Sequence, residues 1–217
     1  DGEPVYGSMR DYFSIMSDGD FNLTGYVVNI IDEDNNGRPD WLALPLRKGQ
    51  YDSVGYANWT PFLNDALAAA IAAGLDIATN ATTKLAVIYA GHTYRRGSLN
   101  PQAGSFYYGG NYYDLYIHGE KFACCSPGRA ERPDVKFAEI GINAHKFAHL
   151  LGIPDLGENG GWDMMSGGPT LGPNFRGACP APLNPETRKK KGWLAFHDVD
   201  ENHTFQADYN LRDPEVF

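Results

Sequence analysis

His145 and His149 stand four residues apart in the string His145-Lys146-Phe147-Ala148-His149-Leu150-Leu151-Gly152-Ile153-Pro154-Asp155. On a helix of 3.6 residues per turn, that spacing puts both imidazoles on one side, one turn apart. Two such rings can share one divalent ion at ~2.0–2.1 Å. Gly152 lets the chain turn sharply, and such a turn can return the Asp155 carboxylate to the same ion as a third ligand. Two histidines and a carboxylate leave one position for water, which is the arrangement of a catalytic zinc site. The competing readings are ordinary packing for the histidine pair and loop capping for Asp155.

Lys146, directly after the first histidine, bears on the same chemistry. A lysine is cationic, with an ordinary pKa near 10.4. It serves as a base at neutral pH only if burial lowers that value by about three units. Beside a divalent cation, its charge weakens metal binding. Glu139, Glu158 and Asp163 are carboxylates near in sequence that could serve as a base instead. Glu139 is six residues before His145, almost two helical turns away, and is a poor candidate.

Three further groups could carry chemistry. Asp32, Asp34, Asn36 and Asp40, with Gly37, have the oxygen spacing of a calcium loop. Ala43 stands where an EF-hand has its bidentate glutamate, so a plain Asx-rich turn competes equally with calcium. Cys124, Cys125 and Cys179 are the only cysteines. Adjacent cysteines rarely pair with each other, so a bridge from one of them to Cys179 is expected if the chain is secreted. Tyr107, Tyr108, Tyr112, Tyr113 and Tyr116 suit strand-face packing better than a peptide or glycan cleft. Nothing places His92 or His118 as extra ligands. There is no Gly-x-Ser-x-Gly elbow and no phosphate-binding glycine loop.

The elements that must position the histidines follow from periodicity. A helix is expected over 137–151, capped by Asp134 and striped by Phe137, Ile140, Gly141, Ala144, Ala148 and Leu151. Gly152 ends it and Pro154 forbids continuation. Further helices are expected over 8–16 and 61–74, and from Pro185 to Gly192. Strands are expected over 21–31, 84–90 and 112–118, with 41–46 a further apolar stretch and 91–110 a long loop. Of 25 glycines, eight lie between Gly152 and Gly177, so a tightly turned segment follows the histidine helix.

Composition bounds the rest. The chain has 217 residues, 42% of them hydrophobic, and a net charge of −9. That length can bury a substantial core. The acidic balance argues against nucleic acid as a partner. The short basic run Arg188–Lys191 reads as a solvated helix face. The longest nearly apolar run, Ala66 to Leu75, is half of the ~20 residues a membrane span needs. No leader is visible at the N-terminus. Sequons at Asn22, Asn58, Asn80 and Asn202 lend weak support to a secreted glycoprotein.

Four strings give the chain a resemblance. Besides His145–Asp155, these are Met9–Phe13 with Ser17–Gly25, Val87–His92, and Gly161–Gly168 with Lys189–Leu194. In that order, over about residues 8–195, they resemble the metallopeptidase domain of the immune inhibitor A family, secreted zincins with a HExxHxxGxxD pattern. The resemblance implies an α/β (α+β) zincin-type domain over 1–195: a twisted sheet, a backing helix, an active-site helix and a glycine-rich lower part. Residues 196–217 would begin a C-terminal β segment or tail, and the whole would be trimmed from a larger parent. It also implies zinc on His145, His149 and Asp155, Met165 as a hydrophobic floor beneath the ion, and a protein or peptide substrate.

In that family the residue after the first histidine is a glutamate that takes a proton from zinc-bound water. Here it is Lys146. The favoured expectation is therefore a secreted, catalytically impaired pseudopeptidase whose zinc binding is weakened or lost. The alternatives are an active zinc endopeptidase or a silenced variant of one, and a non-catalytic protein- or glycan-binding domain on the same fold.

Overall fold

The computed structural model describes residues 7–27, 40–51, 59–93, 102–122, 139–157, 162–172 and 177–195. Its sheet is organised on β3 (Asn111–Phe122). On one side β1 (Leu85–Thr93) pairs parallel with it, and on the other β2 (Gln102–Tyr108) pairs antiparallel. Five α-helices accompany these three strands among the described residues: α1 (Met9–Met16), α2 (Lys48–Tyr51), α3 (Trp59–Ala72), α4 (Ile140–Leu150) and α5 (Pro185–Lys190). The chain is thus a mixed α and β fold, compatible with α+β.

The alternation of β3 sets the layers. Side chains point to opposite faces of a strand in turn. Tyr113, Leu115 and Ile117 enter a core with Phe62, Leu63, Leu67 and Ala70 of α3. Tyr116 enters a second core with Phe147 and Ala148 of α4, Met164, Met165 and Trp193. Helix α1 closes this second core. Its Ser8–Asp11 capping box fixes its start, and Phe13 meets Phe147 edge-on at 5.2 Å between ring centroids. The α4 side is therefore walled by aromatic rings that do not depend on α3.

Helix α4 also meets the glycine-rich segment very closely. A Cβ on Gly141 would lie 1.9 Å from the Pro169 carbonyl oxygen, so only glycine admits that approach. The Gly141 amide donates to the Gly177 carbonyl at 3.0 Å across the same seam. The glycines here serve backbone contact around the histidine helix.

Several expectations are corrected. The segment 91–110 is not one long loop, because β1 continues to Thr93 and β2 occupies Gln102–Tyr108. The β2–β3 turn is Gly109-Gly110, with φ of +58° and +90°, the paired left-handed conformation that a two-residue hairpin demands. Residues 21–27 form no strand. Phe21 and Leu23 anchor that segment by packing on the α1/α4 core, while Tyr26 and Val27 are exposed. Helix α4 starts at Ile140, not 137, and its N-cap is Glu139, without a side-chain cap bond. Asp134 and Phe137 lie outside the described residues.

The basic run is only partly a solvated face. Arg188 Nε donates to the Met16 carbonyl at 2.7 Å, and Lys191 Nζ donates to the Leu151 carbonyl. These two cations cap the C-terminal ends of α1 and α4, where unsatisfied carbonyls attract positive charge. The other expected helices stand close to their sequence positions, α5 with the Asn184 cap bonding the Thr187 amide at 2.8 Å.

Candidate metal centre

Helix α4 delivers His145 and His149 from the same side, one turn apart, as the spacing predicts. The helix then ends in a Schellman arrangement. Gly152, with φ +76°, donates to the His149 carbonyl at 2.8 Å, and Ile153 donates to the Ala148 carbonyl at 3.1 Å. Ile153 is fully buried and pins the turn. Two residues on, the Asp155 carboxylate reaches both imidazoles. The Nε2 atoms of His145 and His149 are 3.2 Å apart, and each lies 3.5 Å from Asp155 Oδ1. These three residues form the one group able to hold a metal ion among the described residues.

Backbone carbonyls fix which nitrogens face inward. His145 Nδ1 donates to the Met164 carbonyl and His149 Nδ1 to the Ile153 carbonyl, each at 2.9 Å. With Nδ1 carrying the proton, both Nε2 lone pairs point at one another and at a carboxylate oxygen. Three electron-rich atoms so close repel unless a cation lies between them. Tetrahedral ligands at ~2.0–2.1 Å from a zinc ion are themselves ~3.3–3.4 Å apart. The observed triangle matches that spacing, so the residues present fit the ion.

Burial and access differ among the three. His145 is buried, and its pKa is pushed down to about 4, chiefly by desolvation, with Lys146 and His149 adding to the shift against the Met164 hydrogen bond and Asp155. His149 is half-buried, while the Asp155 side chain is 67% exposed. The triad therefore opens to solvent on the carboxylate side. Lys146 is half-buried beside it. Desolvation pulls its pKa below the ordinary lysine value and Asp155 pulls it back. It makes no hydrogen bond or ion pair among the described residues.

The turn 163–165 supports two of the three ligands. Met164 gives the carbonyl that holds His145, and the Met165 carbonyl accepts from the amide of Leu156, next to Asp155, at 2.9 Å. Both methionine side chains are buried in the α4 core. Asp163 locks the turn itself. Its carboxylate accepts from the Met165 amide at 2.6 Å and the Asn184 amide at 2.7 Å. From the sequence, Asp163 is no more than a candidate stand-in base. Buried and already accepting two amides, it is unsuited to that task. What signalled its role was an acidic residue inside a glycine-rich, otherwise apolar string.

The remaining expected residues are not gathered here. Glu139 begins α4, at the helix end away from the site. His118 is fully buried in the sheet, on the same face of β3 as Tyr116, and is not part of the metal group. Asp40 is exposed, and Asp32, Asp34 and Asn36 lie outside the described residues. Cys179 is an exposed free thiol, and Cys124 and Cys125 lie outside the described residues. The side chain of His92 and Glu158 are not described either. The tyrosine cluster divides: Tyr113 and Tyr116 are core, while Tyr107 and Tyr112 meet on the surface at 4.9 Å between centroids. No helix among the described residues is long and apolar enough to cross a membrane. Comparison with protein families, curated proteins and solved structures finds nothing that matches the chain.

Proposed function

We propose that the chain is a secreted, zinc-binding domain of the zincin metallopeptidase type in which Lys146 suppresses hydrolysis. The observation that carries the reading is the 3.2, 3.5 and 3.5 Å triangle of ligand atoms, with both imidazoles turned inward by backbone carbonyls. A zinc ion held there supplies Lewis acidity to a water or carbonyl oxygen in its open position.

The chain's own residues account for the suppression. Lys146 stands where the metallopeptidase pattern has its proton acceptor, and an ammonium has no lone pair to accept a proton. Asp163 is committed to two backbone amides and Glu139 sits at the far end of the helix. Losing a general base typically costs ~10²–10⁴ in rate. The exposed sequon residues Asn22 and Asn80 accord with a secreted chain.

The test is metal analysis with a casein assay on the native chain and on Lys146→Glu. The expected result is zinc in both, with cleavage only by Lys146→Glu. Cleavage by the native chain would make it an active endopeptidase. Absence of stoichiometric metal from both would remove the zinc reading.

A further inference from the structure

We infer that this centre binds a carboxylate anion, held jointly by the open metal position and the Lys146 ammonium; the inference rests on the zinc reading above. Charge bookkeeping motivates it. Both histidines are neutral when Nδ1 carries their one proton, and Asp155 supplies the one negative charge. A divalent ion leaves the triad one positive charge in excess, and Lys146 raises the excess to two. A glutamate at the same place would have cancelled it. A half-buried ammonium with no ion-pair partner among the described residues is costly to keep. Asp155 relieves it only in part: it draws the Lys146 pKa back up, but its carboxylate also faces the two imidazoles at 3.5 Å, and its one negative charge is already counted above.

The surroundings leave room for such a guest. The centre opens to solvent past Asp155, the most exposed of the three ligands. The Asp163 carboxylate supplies no counter-charge to it, being buried and bonded to two amides. A carboxylate has two oxygens, so one group can meet the metal and the ammonium together. On this view the lysine replaces turnover with capture: it removes the proton acceptor and adds a binding charge.

Cobalt(II) in place of zinc gives a visible readout that is independent of activity. The native chain and Lys146→Met are each loaded with one equivalent and titrated with acetate, with an N-acetylated dipeptide bearing a free C-terminus, with its C-terminal amide, and with inorganic phosphate. The native spectrum should shift and saturate with both acids and not with the amide. Lys146→Met should still take up cobalt but bind the acids about ten-fold more weakly or worse, the effect of losing one charge-assisted contact. Equal binding of acetate and peptide marks a small free carboxylate as the guest, and tighter binding of the peptide marks a chain terminus; both uphold the inference. A spectrum unmoved by the acids, an equal response to acid and amide, tighter binding of phosphate, or identical titrations of the two proteins would overturn it while leaving the metal reading intact. Failure of the native protein to take up cobalt would overturn both, and failure of Lys146→Met alone would overturn the inference while leaving the metal reading intact.

Discussion

The two faces of the sheet carry different kinds of core. On the α3 face, Leu67, Phe62, Leu115 and Ile117 form a packed interior of the ordinary apolar kind. On the α4 face, apolar rings share space with His118, His145 and Asp163, with backbone carbonyls that hold imidazoles, and with glycines at van der Waals limits. The first face needs only volume and hydrophobicity. The second also spends stability on buried polar groups, each of which must be bonded in one geometry. The difference separates what holds the domain together from what prepares a site.

That contrast is broken most sharply by paired substitutions. His149→Ala should cost more metal affinity than the ~10–100-fold typical of an outer-sphere partner, with little change in metal-free stability, because its ring is only half-buried. Leu67→Ala on the other face should do the reverse. It should lower stability by about 2–5 kcal/mol while the folded fraction binds metal normally. Competitive metal titration and urea unfolding on each variant read both axes; coupled loss on both axes in either variant would dissolve the contrast.

Acid should attack the α4 face selectively. Burial pushes the His118 pKa down to about 4 from an ordinary 6.5, with Lys146 adding to the shift against the Gly119 hydrogen bond. Between those values the unfolded chain takes up a proton that the folded chain refuses, so stability is full above pH 6.5 and falls as pH drops towards 4. The loss is about 3 kcal/mol from this residue alone. Urea unfolding of the native chain and of His118→Gln across pH 4–7 checks it; the variant should show a shallower acid limb.

The smallest predicted effect sharpens the division within the α4 face. Asp163→Asn keeps the size of the side chain but weakens its hold on the Met165 and Asn184 amides. Metal affinity should fall by ~10–100-fold, and the cobalt spectrum of the loaded variant should shift because Met164 no longer holds His145 in place. A variant destabilised without any spectral change would make Asp163 purely structural.

Much of the site was readable because it is local. The histidine pair depends on helical period, and the return of Asp155 depends on a left-handed glycine immediately after the helix. Helices α1, α3 and α5 followed from apolar spacing, caps and terminal glycines for the same reason. Pairing at a distance is what the local pattern does not record. β2 hid in a segment with glycine and serine, although Gly109-Gly110 marked its hairpin. Residues 21–27 have strand-like alternation, yet anchor through two side chains instead of a ladder.

The sequence by itself determined the identity and spacing of the three candidate ligands, and placed a lysine directly after the first histidine. Only the tertiary structure decided which imidazole nitrogens face inward. That choice belongs to the carbonyls of Met164 and Ile153, the first of them on a turn fixed by Asp163. Helical spacing is a property of a few neighbouring dihedrals. Ring orientation is set by hydrogen bonds to backbone groups, and for His145 the acceptor lies nineteen residues away, where no local pattern records it.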